Sequence, residues 1–153
     1  MLNQFFGKYL HSIDPKGRVA IPSRLRKNFS PEAGNCLVLT KGSDSCIYLY
    51  PKDIFSDVIS EVLKLNANIR KENRLLRSIT HNIHEEEMDG QSRIILPQPL
   101  KTYAGIENEV LIAGSGSRIE LWNPAKYEEY LESDTTTFEE LQEQIALLHG
   151  NNP

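Results

Sequence analysis

One motif occurs twice in this chain. Ile13-Asp14-Pro15-Lys16-Gly17-Arg18-Val19-Ala20-Ile21-Pro22 returns 75 residues later as Met88-Asp89-Gly90-Gln91-Ser92-Arg93-Ile94-Ile95-Leu96-Pro97. The shared frame is Asp-x-x-small-Arg-apolar-x-apolar-Pro. A second block returns after 72 residues: Leu37–Gly42 aligns with Glu109–Gly114, and Cys46–Pro51 with Arg118–Asn123. The three-residue difference falls between the blocks, where a loop absorbs it. A sequence of 153 residues with this period is built from two copies of one supersecondary unit. Each copy holds too few short strands to bury its apolar face alone, so the two are expected to share one small barrel-like core.

Each copy reads as turn, strand, strand, hairpin turn, strand and helix. Asp14-Pro15-Lys16-Gly17 is a strong turn, since Pro presets φ, Asp bonds nearby backbone and Gly accepts positive φ. Val19–Ile21 then forms a short strand that Pro22 ends. Leu37–Thr40 and Ile47–Tyr50 are β-branched and aromatic runs flanking Gly42-Ser43-Asp44-Ser45, the pattern of a hairpin, and the second copy repeats it around Gly114-Ser115-Gly116-Ser117. After Pro51, Ile54, Val58, Val62, Leu65 and Ile69 recur at steps of three or four, the stripe of an amphipathic helix. That helix is expected to carry on through Leu75, Leu76 and Ile79 with a break at Asn66-Ala67-Asn68. Asn123 followed by Pro124 caps and opens another helix, with Tyr127 and Leu131 on it. Thr137-x-x-Glu140 has the form of a capping box ahead of Phe138, Leu141, Ile145 and Leu148, with Gly150 as the stop. This last helix is expected to have no counterpart in the first copy. The organisation expected is a first repeat over 7–53, a connecting helical segment over 54–80, a second repeat over 81–124 and C-terminal helices over 125–153.

The net charge of −4 speaks against nucleic acid when read as one number, but the halves differ. Residues 1–80 carry 13 Lys and Arg against 7 Asp and Glu, and residues 81–153 carry 4 against 14. From Lys16 to Lys27 the chain holds Lys16, Arg18, Arg24, Arg26 and Lys27 and no acid, so a local positive field is possible on an acidic protein. A solvated surface without a ligand is the bland alternative. No window approaches the roughly 20 apolar residues of a membrane span. Met1–Lys8 lacks the basic, apolar and small-residue regions of a secretion signal, so the expected compartment is the cytoplasm.

Catalytic and metal patterns are missing. Cys36 and Cys46 lack a second pair or a His-x-x-x-His to complete a zinc site, and each is expected to be a small buried strand residue. His11, His81, His84 and His149 form no triad or HExxH arrangement. Asp14 and Asp89 could be taken for a carboxylate pair, yet both precede turns that need such a residue. Glu85-Glu86-Glu87 points in three directions and is expected to be an exposed charge run, and Trp122, with Leu121 and Ile119 as apolar neighbours, is expected in the core. Neither a nucleotide-phosphate loop nor a nucleophile with a base at readable spacing is present. The expectation is a non-enzymatic protein with no cofactor, no metal, no membrane partner and no small-molecule substrate.

Asp14-x-Lys16-Gly17-Arg18-Val19-x-Ile21-Pro22 with Arg26, the second Asp89-x-x-x-Arg93-Ile94-x-Leu96-Pro97, and Ile119-Glu120-Leu121-Trp122 together resemble the MraZ family. The halves of its members are each similar to the SpoVT/AbrB swapped-hairpin module, and the likeness is read over residues 1–133. What the resemblance implies is an α+β fold: a small double-split, swapped-hairpin barrel of two pseudo-symmetric β-rich repeats, each followed by a helix, plus a C-terminal helix. It also implies a cytoplasmic, nucleoid-associated transcription factor. Such a factor binds direct repeats of double-stranded promoter DNA in the division and cell wall gene cluster, usually as a repressor, and forms a homo-oligomeric ring. In that pattern the arginine of the turn contacts DNA, which falls here on Arg18, with Arg93 as its pseudo-symmetric partner. The second motif departs from the pattern at Ser92, where the family has Gly, so its turn need not follow the first.

Beside the resemblance, the chemistry asks for cations held at fixed spacing on a rigid edge. Arg suits a planar fork that meets phosphate or the guanine O6/N7 pair, and Lys acts as a point charge. Arg18 sits between a glycine turn and a strand, with Lys16 two residues earlier. Arg24 and Arg26 diverge if their segment is a helical turn and share a face if it is extended; both remain open from sequence. The candidate DNA contacts are Lys16, Arg18, Arg24, Arg26, Lys27 and Arg93. The structural alternative for Arg18 is a salt bridge to Asp14 that closes the turn. The rival function is a protein-interaction or scaffolding module that inhibits or organises a partner.

Overall fold

The two repeats interlock by exchanging their first strands. The computed structural model describes residues 2–150, so residues 151–153 of the expected C-terminal span lie outside the described residues. The first half contains β1 (Phe5–Ser12), β2 (Arg18–Ala20), α1 (Ser23–Arg26), β3 (Cys36–Lys41), β4 (Ile47–Pro51), α2 (Lys52–Val62) and α3 (Arg70–Thr80). The second repeats that order as β5 (His84–Glu87), β6 (Arg93–Ile95), α4 (Gln98–Ala104), β7 (Glu109–Gly116), β8 (Ile119–Trp122), α5 (Pro124–Ser133) and α6 (Phe138–Gly150). Six strands form a sheet in the order β1-β7-β8-β4-β3-β5, and β2 pairs with β6 in a separate two-stranded ribbon. Every pairing is antiparallel.

Replacing each strand by its counterpart in the other half reads the sheet order backwards and leaves it unchanged. A pseudo-two-fold axis therefore passes between β4 and β8, and each half supplies the edge strand that covers the other's third strand. Reciprocal backbone bonds reinforce the exchange: Ile21 N donates to Ser92 O at 3.0 Å, and Leu96 N to Gly17 O at 2.9 Å. Ile13 N reaches Asn108 O and Met88 N reaches Asn35 O, both at 2.8 Å. Matched residues of the two halves meet in one core. Val19 and Ile21 correspond to Ile94 and Leu96, Ile47 to Ile119 and Leu49 to Leu121, and all eight are buried. Each such side chain contributes roughly 1.5–3 kcal/mol of hydrophobic stabilisation.

Close approach explains one glycine. A Cβ on Gly114 would lie 2.3 Å from Phe6 N and 2.5 Å from Phe5 C, because the backbone of the neighbouring strand β1 closes in on β7 there. The α+β class with two pseudo-symmetric β-rich repeats is as expected. The leading strands β1 and β5 are additions to the sequence reading. Glu85, Glu86 and Glu87, expected as an exposed charge run, form edge strand β5 against β3: Glu85 and Glu87 are exposed, and Glu86 is half-buried with its carboxyl pushed up by that burial. Acids along an outer strand discourage pairing with another sheet.

The helical stripe after Pro51 is two helices, α2 and α3, separated at residues 63–69, so the break at Asn66–Asn68 is a full interruption. α3 consequently follows α2 as α6 follows α5, which gives the last helix a counterpart in the first half. Asn123 caps α5, its side chain accepting from Ala125 N and Lys126 N, and the Thr137 hydroxyl accepts from Glu140 N at 3.1 Å. Trp122 is buried, stacked on Tyr127 and tilted against Tyr130, with ring centroids 5.2 Å away in each case. Cys46 is buried, its thiol pushed up to about 12 by that burial, and Cys36 is half-buried at the start of β3. Among the described residues no helix is long and apolar enough to cross a membrane.

Candidate nucleic-acid interface

Both copies of the signature fold into the same aspartate-anchored turn. Asp14 Oδ1 accepts from Lys16 N at 2.9 Å and Arg18 N at 2.8 Å, and its Oδ2 accepts from Arg18 Nε at 2.6 Å. Asp89 does the same, taking Gln91 N at 2.9 Å, Arg93 N at 3.0 Å and Arg93 Nε at 3.0 Å. The turns close with Gly17 N on Asp14 O and Ser92 N on Asp89 O, each at 2.9 Å. Gly17 has φ +80° and Ser92 φ +59°. Ser92 therefore adopts the left-handed geometry that glycine takes more freely, and the second turn follows the first despite the substitution.

Backbone N–H bonds hold both carboxyls below the ordinary range. For Asp14 the Arg18 backbone bond is the largest cause, and for Asp89 the Arg93 one; the arginine side chains add to it. The charged carboxylates in turn fix where the arginines lie. Each guanidinium is engaged through Nε. Arg93 Nη1 approaches Asp14 Oδ2 at 3.9 Å, so Asp14 stands between the two arginines. The salt bridge expected as the structural alternative is present. It orients Arg18 without burying it, since the side chain stays 30% exposed.

The ribbon sets the spacing of the pair. In β2–β6 the register places Arg18 opposite Ile95, Val19 opposite Ile94 and Ala20 opposite Arg93. Val19 and Ile94 face the core, so strand alternation turns Arg18, Ala20, Arg93 and Ile95 to the other side. Ile95 is 53% exposed there, an apolar member of the face that the sequence reading passed over. Lys16 is exposed in the first turn, whereas its counterpart Gln91 is uncharged, so the two turns differ electrostatically.

Arg24 and Arg26 lie on α1, beyond Pro22, and Lys27 directly follows it. A helical turn separates Arg24 from Arg26 by roughly 200° around the axis, which settles the alternative left open by the sequence. Arg26 Nε donates to Ile21 O at 2.9 Å and holds the end of the ribbon strand. Arg24 and Lys27 are exposed and line a groove of about 440 Å³ with Phe6, Gly7, Tyr9 and Asn28. The structure thus brings Arg18 and Arg93 together on the ribbon, places Lys16 in the adjoining turn, and sets Arg24 and Lys27 beside β1. Arg118 is occupied elsewhere, with its guanidinium 3.6 Å from the centre of the Tyr48 ring.

Two fused copies of one β-rich module, interlocked by strand exchange and each carrying an aspartate-anchored arginine turn, define a tandem-repeat protein with its polar signature on a two-stranded ribbon. The family model described as "MraZ protein, putative antitoxin-like" matches residues 4–78 and again residues 80–148. The chain belongs to the MraZ family. The match runs into α6, so the likeness extends beyond residue 133, where the sequence reading ended it. The protein named Transcriptional regulator MraZ in Acetivibrio thermocellus is 35% identical over 144 residues, covering 94% of this chain and 98% of that protein. The Clostridium beijerinckii protein of the same name is 39% identical over 133 residues, covering 85% and 89%. That of Cytophaga hutchinsonii is 35% identical over 140 residues, covering 91% and 92%.

Proposed function

We propose that this chain is a sequence-specific, non-enzymatic DNA-binding regulator of transcription, with Arg18 and Arg93 as its central DNA contacts. The observation that carries the reading is the outward face of the β2–β6 ribbon, where two arginines are fixed by carboxylates through Nε. The major groove of B-DNA admits a two-stranded ribbon, and an arginine fork matches guanine O6 and N7 there. Lys16, Arg24, Arg26 and Lys27 supply or support phosphate contacts at the flanks, which position the ribbon without reading sequence. In this reading the interlocked repeats are a swapped-hairpin, double-split barrel of the SpoVT/AbrB kind.

The names carried by the relatives support a role in transcription. We further read the target as direct repeats in the promoter of the division and cell wall gene cluster, acted on by repression in the cytoplasm at the nucleoid. The number of cations per module favours assembly, since non-specific binding by few contacts is typically only ~10⁻⁴–10⁻⁶ M. Modules side by side in a ring engage successive repeats and raise avidity without new contacts.

A mobility-shift titration against the DNA upstream of the chain's own gene tests the function. Tight binding there and weak binding to a scrambled duplex are expected. Equal binding to both would favour the protein-interaction module instead.

A further inference from the structure

The two helical arms carry opposite charge and leave apolar side chains uncovered, a whole stripe on α6 and Leu63, Ile69 and Leu75 on the first arm, where Leu76 and Ile79 are half-buried. α6 has no buried residue. Phe138, Leu141, Ile145 and Leu148 share one side of it and are 46–70% exposed, while Glu139, Glu140 and Glu143 occupy the other side. α3 has the same design with the sign reversed. Arg70, Arg74 and Arg77 form one side, Leu75, Leu76 and Ile79 the other, and none of these cations has an ionic partner among the described residues. Leu75 is 51% exposed, and Leu63 and Ile69, in the link before α3, are 62% and 48% exposed. Residues 52–80 carry six Lys and Arg against four Asp and Glu; residues 124–150 carry one against seven.

We propose that the apolar stripe of α6 docks on the α2–α3 arm of a second copy of this chain, against Leu63, Ile69 and Leu75, in a head-to-tail contact. The choice of occupant follows from charge. Two acidic arms meeting each other would set seven carboxylates against seven, whereas an acidic arm meeting a basic one gains long-range attraction and rejects the wrong pairing. Within one molecule the stripe stays exposed, so its own α3 does not cover it. Each copy offers one arm of either kind, and a heterologous contact of this sort closes into a ring when its rotation permits. The inference rests on the assembly reading above and names the surface that makes it.

Two full-length variants test it, Leu141→Asp with Ile145→Asp in α6, and Leu75→Asp with Ile69→Asp in the first arm. Mass is read by light scattering after gel filtration, and circular dichroism reports the fold. Each variant alone is expected to be monomeric. Mixed in equal amounts they are expected to form a heterodimer and nothing larger, because each retains the surface its partner has lost. A mixture of folded variants that stays monomeric overturns the head-to-tail contact, as does wild-type assembly by either variant alone. A third variant, Glu139→Lys with Glu140→Lys and Glu143→Lys, keeps the apolar stripe and is expected to weaken assembly at least tenfold at low salt; unchanged assembly overturns the charge pairing. Wild-type chain that is monomeric at every concentration removes the ring reading itself, whereas an assembling wild type indifferent to these substitutions removes only this surface.

Discussion

A carboxylate that holds an arginine by Nε acts as a positioning group, and this governs what single substitutions should do. Arg18→Ala removes the half-buried guanidinium and leaves Val19 and the ribbon ladder in place. It is expected to weaken operator binding by about 1–3 kcal/mol, which is roughly 5- to 150-fold, with unchanged circular dichroism; full affinity in a titration would count against the contact. Ser92→Gly relieves the left-handed backbone at φ +59° and is expected to stabilise the chain by about 1 kcal/mol, read as a raised urea midpoint. Because Asp14 and Asp89 are held below the ordinary carboxylate value of about 3.9, both favour the folded chain when ionised. Their contribution is full above that value and lost as pH falls through the lowered folded values. Thermal unfolding between pH 5 and pH 2 should therefore be steeper in wild type than in Asp89→Asn, and parallel curves would contradict the assignment. The turn-closing roles of Asp14 and Asp89 and the salt bridge from Asp14 to Arg18 were legible in the sequence because turn chemistry is local. Ile95 was not, since its exposure depends on a partner strand that brings it opposite Arg18.

At the scale of elements, the sequence shows strands that carry their own apolar runs and conceals those that borrow stability. β3, β4, β7 and β8 are β-branched or aromatic and were readable as hairpins. β5 is His-Glu-Glu-Glu, a poor strand by composition, and exists because β3 offers it a ladder. β1 alternates weakly and contains Gly7 at φ +93°, and its register is set by β7. α1 was ambiguous because four residues after a proline carry too little periodicity to choose a conformation. The pairing of β1 with β7 is testable at Gly114, where an added Cβ would meet β1 backbone that has no rotamer to yield. Gly114→Ala is expected to destabilise the chain by about 1–3 kcal/mol, measured by urea unfolding; an unchanged midpoint would mean that β1 lies further from β7 than described.

For the whole molecule, the repeat announced two copies of one unit, but not that they trade strands, since that depends on which partner a strand finds after the chain has turned back. The exchange ties the halves together and sets the two arginines on one face of the ribbon, with their turns at its opposite ends. The same duplication lets the copies diverge in charge, with cations gathered in the first half and acids in the second. Acids on the second arm are expected to keep DNA off that surface, so reversing several of them within residues 128–143 should raise binding to scrambled duplex; no change would dispose of that role. Paired arginines that hold DNA on the ribbon must govern how operator affinity depends on salt, which fluorescence anisotropy follows for wild type and for the Arg18→Ala/Arg93→Ala double variant. A shallower slope and loss of preference over scrambled DNA in the folded double variant is the predicted result. The same slope and the same preference as wild type would contradict it.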